Sequence, residues 1–308
     1  MKIMAIPTSR TQENATVHID KTLCNGCGLC VTVCKSFSLT ILDKKVCLSD
    51  QSIFGCIGCG HCMMVCPHGA ITVEGRCTSA GDLKEIPPVE DAATHDALLA
   101  LMLRRRAVRE FKEKTVDKAL IDQVLAAAST APIGLPPSDV HVLVLDSKDK
   151  VRAFSEDFCA YLEHIKWYTS KWFLMLMRPF WGKKTDQLFR GFLKPCLECY
   201  TDFMKKGENV VTYDAPVALY FYGSEYSDPA DPIIAATYAM LTAESLGLGT
   251  CMLGAIHPMI QNGKLAEKFR EAHGIQNKSR EGLFIIMGYP SIKFTKSITR
   301  TFASVDRN

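Results

Sequence analysis

Eight cysteines in two runs of one spacing constrain this chain more than any other feature. Cys24, Cys27, Cys30 and Cys34 stand at C-x2-C-x2-C-x3-C, and Cys56, Cys59, Cys62 and Cys66 repeat that spacing 32 residues later. Thiolates bind soft iron tightly, and eight thiolates so arranged are the ligand set of two four-iron, four-sulfur clusters. In such paired runs the fourth cysteine of each serves the other cluster. The expected sets are therefore Cys24, Cys27, Cys30 and Cys66 for one, and Cys56, Cys59, Cys62 and Cys34 for the other.

The repeat extends past the ligands. Gly26 and Gly28 recur as Gly58 and Gly60, Val33 as Val65, and Leu39-Thr40-Ile41 as Ile71-Thr72-Val73. Glycine permits the backbone turns that aim amides at cluster sulfurs. Residues 15–76 resemble the bacterial two-cluster ferredoxin module. Cys66-Pro67 matches its C-P ending, whereas Cys34-Lys35 departs from it. Structural zinc sites take two C-x2-C pairs rather than two runs of four, so zinc is the weaker alternative. A disulfide framework is weaker still, because Met1–Thr16 carries no apolar run of secretory-signal length. Fourteen cysteines then fit a reducing, oxygen-poor cytoplasm. Cys47, Cys77, Cys159, Cys196, Cys199 and Cys251 lie outside the runs and read as small buried hydrophobes. The lone C-x2-C of Cys196 and Cys199 leaves a further metal or redox site open.

With 36 basic and 33 acidic residues the net charge is +3, which gives no electrostatic footprint for nucleic acid. No stretch reaches the length of a membrane span; Trp172 to Met177 is apolar but is followed by Arg178 and Pro179. Neither nucleic acid nor membrane is expected as a partner. At 308 residues there is room for one small and one large domain. Residues 1–80 read as the iron–sulfur domain, 81–94 as a linker with Gly81, Pro87 and Pro88, and 95–308 as the second domain.

In that second part, periodicity predicts a helix over His95–Arg106 with Leu98, Leu99, Met102 and Leu103 on one face. Another follows over Asp117–Ser129, with Asp117 as its cap. Val140–Leu145, Ala215–Tyr222 and Leu283–Met287 are strand candidates. Ile233–Leu246 reads as a helix apolar all round and therefore buried, and Lys264–His273 as a shorter one. The fold class is α+β: a central sheet surrounded by helices.

Four segments of this part act together. Arg104-Arg105-Arg106-Ala107-Val108-Arg109 can hold a phosphate, because guanidinium pairs with phosphate oxygens in a two-pronged fork. The others are Ala131 to Val140, Leu246 to Gly254, and Gly288-Tyr289-Pro290 with Arg300. In that order they resemble the nitroreductase superfamily of flavin enzymes over roughly residues 95–305. The whole chain resembles a ferredoxin–nitroreductase fusion, a small ferredoxin-like iron–sulfur domain followed by a nitroreductase-like FMN domain. The resemblance implies FMN at the interface of a homodimer. It puts Arg105, Arg106, Ala107 and Arg109 at the FMN phosphate and ribityl chain, with Ala107 where the family has serine. It puts Pro132 and Ser138 in the loop that lines the flavin from the other subunit; Pro136 and Ser138 occupy that loop's usual Asn and Gln positions. Backbone amides of Met252, Leu253 and Gly254 would meet the reactive edge of the ring, and Arg300 would close the phosphate site. Gly247-Leu248-Gly249 is not a dinucleotide fingerprint, since it follows a helix and its third glycine comes late.

Residues 158–204 crowd Phe158, Tyr161, Trp167, Tyr168, Trp172, Phe173, Trp181, Phe189, Phe192 and Tyr200 with three methionines. This is either packing or a lid over the flavin. No catalytic side chain is assigned; His141, Tyr168 and Cys251 are candidate proton donors. The expected activity is an FMN oxidoreductase fed through its own clusters by ferredoxin, flavodoxin or NAD(P)H. Its acceptor would be a small electron-poor molecule: a nitroaromatic, quinone or enone. A specialised reduction, such as dehalogenation or double-bond reduction, is the enzymatic alternative, and a non-catalytic electron carrier or redox-responsive protein the other.

Overall fold

The sequence repeat becomes a structural repeat. A computed structural model describes residues 14–52, 55–134 and 136–307; most of Met1–Thr16 and Leu135 lie outside them. Strand β1 (Thr16–Ile19) pairs antiparallel with β4 (Ile71–Glu74) in the register Thr16↔Glu74 to Ile19↔Ile71. A hairpin, β2 (Leu39–Leu42) and β3 (Lys45–Leu48), follows the first cysteine run. Each run ends in a short helix, α1 (Leu29–Val33) and α2 (His61–Val65), that starts from Gly28 or Gly60 at φ 80° and 70°. Those left-handed conformations carry little strain only for glycine. Val46, Met63, Ala70, Ile71 and Val73 form the core with Cys24, Cys30 and Cys62. The apolar centre of this module is therefore built around its own thiols.

The described chain divides into two compact units. One runs up to Ala93 and takes in 132–141 and 223–231 as well; the other holds 94–131, 142–222 and the remainder from 232. Between Cys77 and Ala93 there are only two single turns, Ala80–Asp82 and Val89–Asp91.

Downstream, α3 (His95–Arg104) is capped by Thr94, whose hydroxyl accepts from Ala97 N at 3.3 Å. Helix α4 (Lys118–Ala128) begins at Asp117, but that carboxylate makes no capping bond. β5 (Val140–Leu145), α5 (Lys148–Ile165), α6 (Lys171–Leu188), α7 (Lys194–Lys205), β6 (Val217–Gly223), α8 (Asp231–Ser245), β7 (Gly249–Leu253), α9 (Ile256–Met259), α10 (Lys264–Ala272) and β8 (Gly282–Gly288) complete the order. The sheet runs β5-β6-β8-β7, with β8 antiparallel to both neighbours. β6 and β8 are buried along their whole length, which is why both read as unbroken apolar runs. Phe154, Phe158 and Leu162 of α5 pack on Tyr220, Phe269 and Phe284, with Tyr220 and Phe284 stacked at 4.0 Å. No helix among the described residues is long and apolar enough to cross a membrane.

Two expectations change, and one apolar face is left open. Helix α8 buries Ala235, Ala236, Ala239, Met240 and Ala243 but exposes Thr237 and Tyr238; it is a surface helix built largely of small residues, not a buried one. The apolar face of α3 is open, with Leu98, Leu99, Met102 and Leu103 exposed. Periodicity locates such a face and says nothing of what covers it. Cys77 and Cys199 are exposed and Cys47 and Cys196 half-buried, so only Cys159 and Cys251 of the six extra cysteines are buried.

A buried and a half-buried histidine make stability pH-dependent. His257 Nδ1 lies 2.8 Å from Tyr220 Oη, and His273 packs against Phe154 and Phe269. Burial pushes both below the ordinary histidine range. The unfolded chain therefore binds more protons below about pH 6.5, and stability falls as pH drops through that value toward the lowered folded ones. Chemical denaturation between about pH 7.5 and about pH 5.5 should show the loss. A His257→Gln, His273→Gln variant should flatten the slope.

Candidate functional site

Burial and mutual repulsion show which thiols stand together. Burial pushes Cys30 up, and Cys66 and Cys27 add to the rise. Cys62 is pushed up to about 12 by burial and by Cys56, Cys59 and Cys34. A small cavity is lined by Cys34, Cys56, Cys59 and Cys62 together with Leu39 and Ile57. Cys66 thus stands with Cys27 and Cys30 of the other run, and Cys34 with Cys56, Cys59 and Cys62. Cys24 differs: backbone amides of Val46 and Gly26 hold its thiol below the ordinary range. Lys45 Nζ donates to the Lys21 carbonyl at 3.0 Å and also to that of Cys24, pinning the β2–β3 hairpin over the first loop. A Cβ on Gly26 would collide with the Lys44 carbonyl of the same hairpin. Four soft sulfurs gathered in an apolar setting fit an iron–sulfur cube, whose positive irons offset the cost of ionising buried thiols. Among the described residues no three His, Cys, Asp or Glu side chains close around a single ion.

Arg76 was not singled out from the sequence. It is 8% exposed. Its Nε donates to the Ile57 carbonyl at 3.2 Å and its Nη2 to the Pro136 carbonyl at 2.6 Å, and its charge acts on Cys56. The loop beginning at Pro132 is tied again where Gly134 N donates to Asp231 Oδ1 at 3.0 Å. Nothing in local sequence marks Arg76, because both partners are backbone carbonyls distant in the chain.

Three guanidiniums converge in the second unit. Burial lowers the pKa of Arg105, and Arg300 and Arg106 lower it further as like charges. Among the described residues Arg105 and Arg300 make no ion pair, whereas Arg104 reaches Glu244 at 3.7 Å. Ala107 bridges to Thr250, and Val108 N donates to Thr250 O at 2.9 Å. Thr250 Oγ1 is buried with no hydrogen-bond partner. Converging, half-buried positive charge outside any ion pair among the described residues fits a phosphate, although Glu244 also acts on Arg105. Arg106 also lines a cleft of about 560 Å³ with Arg104, Lys112, Lys293 and Lys296; the two lysines escaped the sequence reading because they lie in an unpatterned tail.

The remaining candidates scatter. Arg109 sits 5.7 Å over the Tyr213 ring and, with Arg105, acts on the buried thiol of Cys251, which burial pushes up. Met252, Leu253 and Gly254 close β7 and its following turn, with Met252 exposed. Pro132 and Ser138 belong to the first unit; both are exposed, and Ser138 Oγ accepts from Val140 N at 3.3 Å. Tyr168 is exposed and stacks on Trp167 at 3.9 Å, and His141 is half-buried at the start of β5.

Comparison with known proteins follows this division. Models of a 4Fe-4S binding domain match residues 16–37 and 55–72. The chain is similar to a solved nitroreductase with bound FMN from Bacteroides fragilis (14% identity, 68% of this chain and 98% of that one, TM-score 0.49). It is also similar to an FMN-dependent nitroreductase from Clostridium difficile (21% identity, 67% and 99%, TM-score 0.42). A third is a nitroreductase with bound FMN from Desulfitobacterium hafniense (20% identity, 68% and 98%, TM-score 0.47). No curated protein matches. The model of the nitroreductase family matches residues 102–289, well over half of the chain and all of the sheet, and on that ground the protein belongs to the nitroreductase family, with iron–sulfur binding domains ahead of the matched region.

Proposed function

We propose that this protein is an FMN-dependent oxidoreductase that receives electrons from an external donor through two [4Fe–4S] clusters. It passes them to a small electron-poor acceptor such as a nitroaromatic, quinone or enone. The observation that carries the reading is the convergence of Arg105, Arg106 and Arg300, with Arg105 half-buried and in no ion pair among the described residues, in a chain that also gathers Cys34, Cys56, Cys59 and Cys62 around one cavity. Bound clusters relay single electrons, and bound FMN can combine two of them for an organic acceptor.

The chain's residues take the following parts. Cys24, Cys27, Cys30 and Cys66 hold one cluster, and Cys34, Cys56, Cys59 and Cys62 the other. Arg105, Arg106 and Arg300 grip the phosphate. Ala107 contributes no hydroxyl where the family has serine. Arg109 donates to the ribityl hydroxyls, and Met252, Leu253 and Gly254 present backbone to the ring. Pro132 and Ser138 line the flavin from the other copy. Residues 1–80 form the iron–sulfur domain, 81–94 a linker and 95–308 the FMN domain. A homodimer is supported by the open apolar face of α3, by exposed Tyr238 on α8, and by exposed Phe294, Ile298 and Phe302 near the C-terminus.

Arg76 supports an order of transfer. Because it ties the Cys56 loop to the Pro136 loop, the cluster beside it is the exit and the other the entry. Arg76→Ala should keep iron and lower the potential of one cluster only, on the order of tens of millivolts, since nearby positive charge favours the reduced cluster. Redox potentiometry followed by EPR reads this; unchanged potentials would remove Arg76 from the route. The function itself is tested by anaerobic titration with NADH, NADPH and reduced ferredoxin, following cluster and flavin absorbance. A chain without flavin, inert toward nitroaromatics under dithionite, would sink the reading.

A further inference from the structure

We propose that the segment 166–194 is a docking surface for an anionic lipid bilayer. It carries Lys166, Lys171, Arg178, Lys183, Lys184, Arg190 and Lys194 against the single carboxylate of Asp186. The chain as a whole is only +3, so this segment holds more than the entire net charge. Arg190 pairs with Asp186 at 2.9 Å, and Lys166 and Lys194 also have carboxylate partners. Lys171, Arg178, Lys183 and Lys184 have none among the described residues.

The apolar side is equally concentrated. All three tryptophans of the chain, Trp167, Trp172 and Trp181, lie here. Helix α6 turns Leu174 inward and leaves Trp172, Met175, Leu176 and Phe180 at 57%, 72%, 57% and 79% exposure. Those positions are i, i+3, i+4 and i+8, a single helical stripe. Gly182, at φ 73° and ψ 176°, breaks the helix and sets Lys183 and Lys184 just beyond the stripe's end. An outward apolar stripe with tryptophan, edged by cations, is the pattern of helices that lie in a bilayer interface. There aromatic rings settle at headgroup depth and lysine stems reach the phosphates. The length argument that spoke against a membrane partner concerns spanning helices, and an interfacial helix needs no span. A second copy is the poorer occupant. A two-fold contact would set each copy's unpaired cations against their own kind.

The test uses the whole protein, purified without oxygen and loaded with iron and flavin. It is mixed with vesicles of phosphatidylcholine alone or with added phosphatidylglycerol, and flotation and tryptophan emission are measured. Because every tryptophan is in the segment, emission reports this surface without any variant. We expect flotation and a blue shift with phosphatidylglycerol only. Lys183→Gln with Lys184→Gln should bind roughly thirtyfold more weakly. Trp172→Ser with Phe180→Ser should not float, while iron and flavin contents stay as in the parent. No flotation of the parent with anionic vesicles overturns the proposal. So does equal binding to neutral vesicles, or substitutions that change self-association and leave vesicle binding intact.

Discussion

Cys34→Ser should cost the protein the cluster associated with the other cysteine run. Eight irons per chain fall to about four, and the survivor is the cluster of the run in which Cys34 itself lies. The reason is spatial. Cys34 lines one cavity with Cys56, Cys59 and Cys62, while Cys66 acts on Cys30. Serine keeps the shape and removes the soft sulfur, so a quartet drops to three ligands. Double substitutions make the test sharp. Cys34→Ser with Cys56→Ser strikes one quartet twice and should leave about four irons, as either single change does. Cys34→Ser with Cys30→Ser strikes both and should leave almost none. Uncrossed runs predict the reverse: the first pair would lose everything and the second would keep half. Iron analysis beside EPR of the reduced protein distinguishes the two, and the reverse pattern would refute the crossed arrangement.

What could be read from sequence depended on whether the determinant was local. The cysteine runs are covalent spacing, so their loops and their glycines were legible. β6 and β8 were legible because strands buried on both faces must be continuously apolar; β5, half-buried at the sheet edge, was legible from its Val and Leu residues. β7 was not, since Gly247 and Gly249 read as a turn; Gly247 does turn, at φ 77°, and the strand begins two residues on. Gly249 is required there by Val108, whose Cγ2 would lie 2.6 Å from a Cβ. The α8 helix misled because Thr237 and Tyr238, which it exposes, were counted into an all-round apolar surface. Asp117 was read as a cap from its type, whereas Thr94, equally qualified, makes the bond. Arg76, Lys293 and Lys296 gain their meaning only from tertiary neighbours. The break comes at Gly182, φ 73°, rather than at Pro179, the breaker the sequence displays.

Arg105→Ala should strip FMN from the protein while leaving iron in place. A charged hydrogen bond contributes about 1.5–3 kcal/mol, so losing Arg105 alone should raise the FMN dissociation constant roughly ten- to a hundredfold. Arg105→Lys should not restore it, because a point charge cannot reproduce the two-pronged grip of a guanidinium. The flavin-free protein offers a check that needs no flavin. Arg105 is half-buried; burial, and after it the like charges of Arg300 and Arg106, already lower its pKa, with Glu244 acting the other way. Inorganic phosphate should relieve the repulsion, raising the thermal midpoint of the flavin-free parent by mass action. In Arg105→Ala the repulsion is gone, so the variant should start more stable without phosphate and gain little on its addition. A structural role for Arg105 predicts the opposite sign, a less stable variant with an unchanged phosphate response. Stoichiometric FMN retained in Arg105→Ala would move the phosphate site elsewhere, and the cleft of Arg104, Arg106, Lys112, Lys293 and Lys296 would then be where to look.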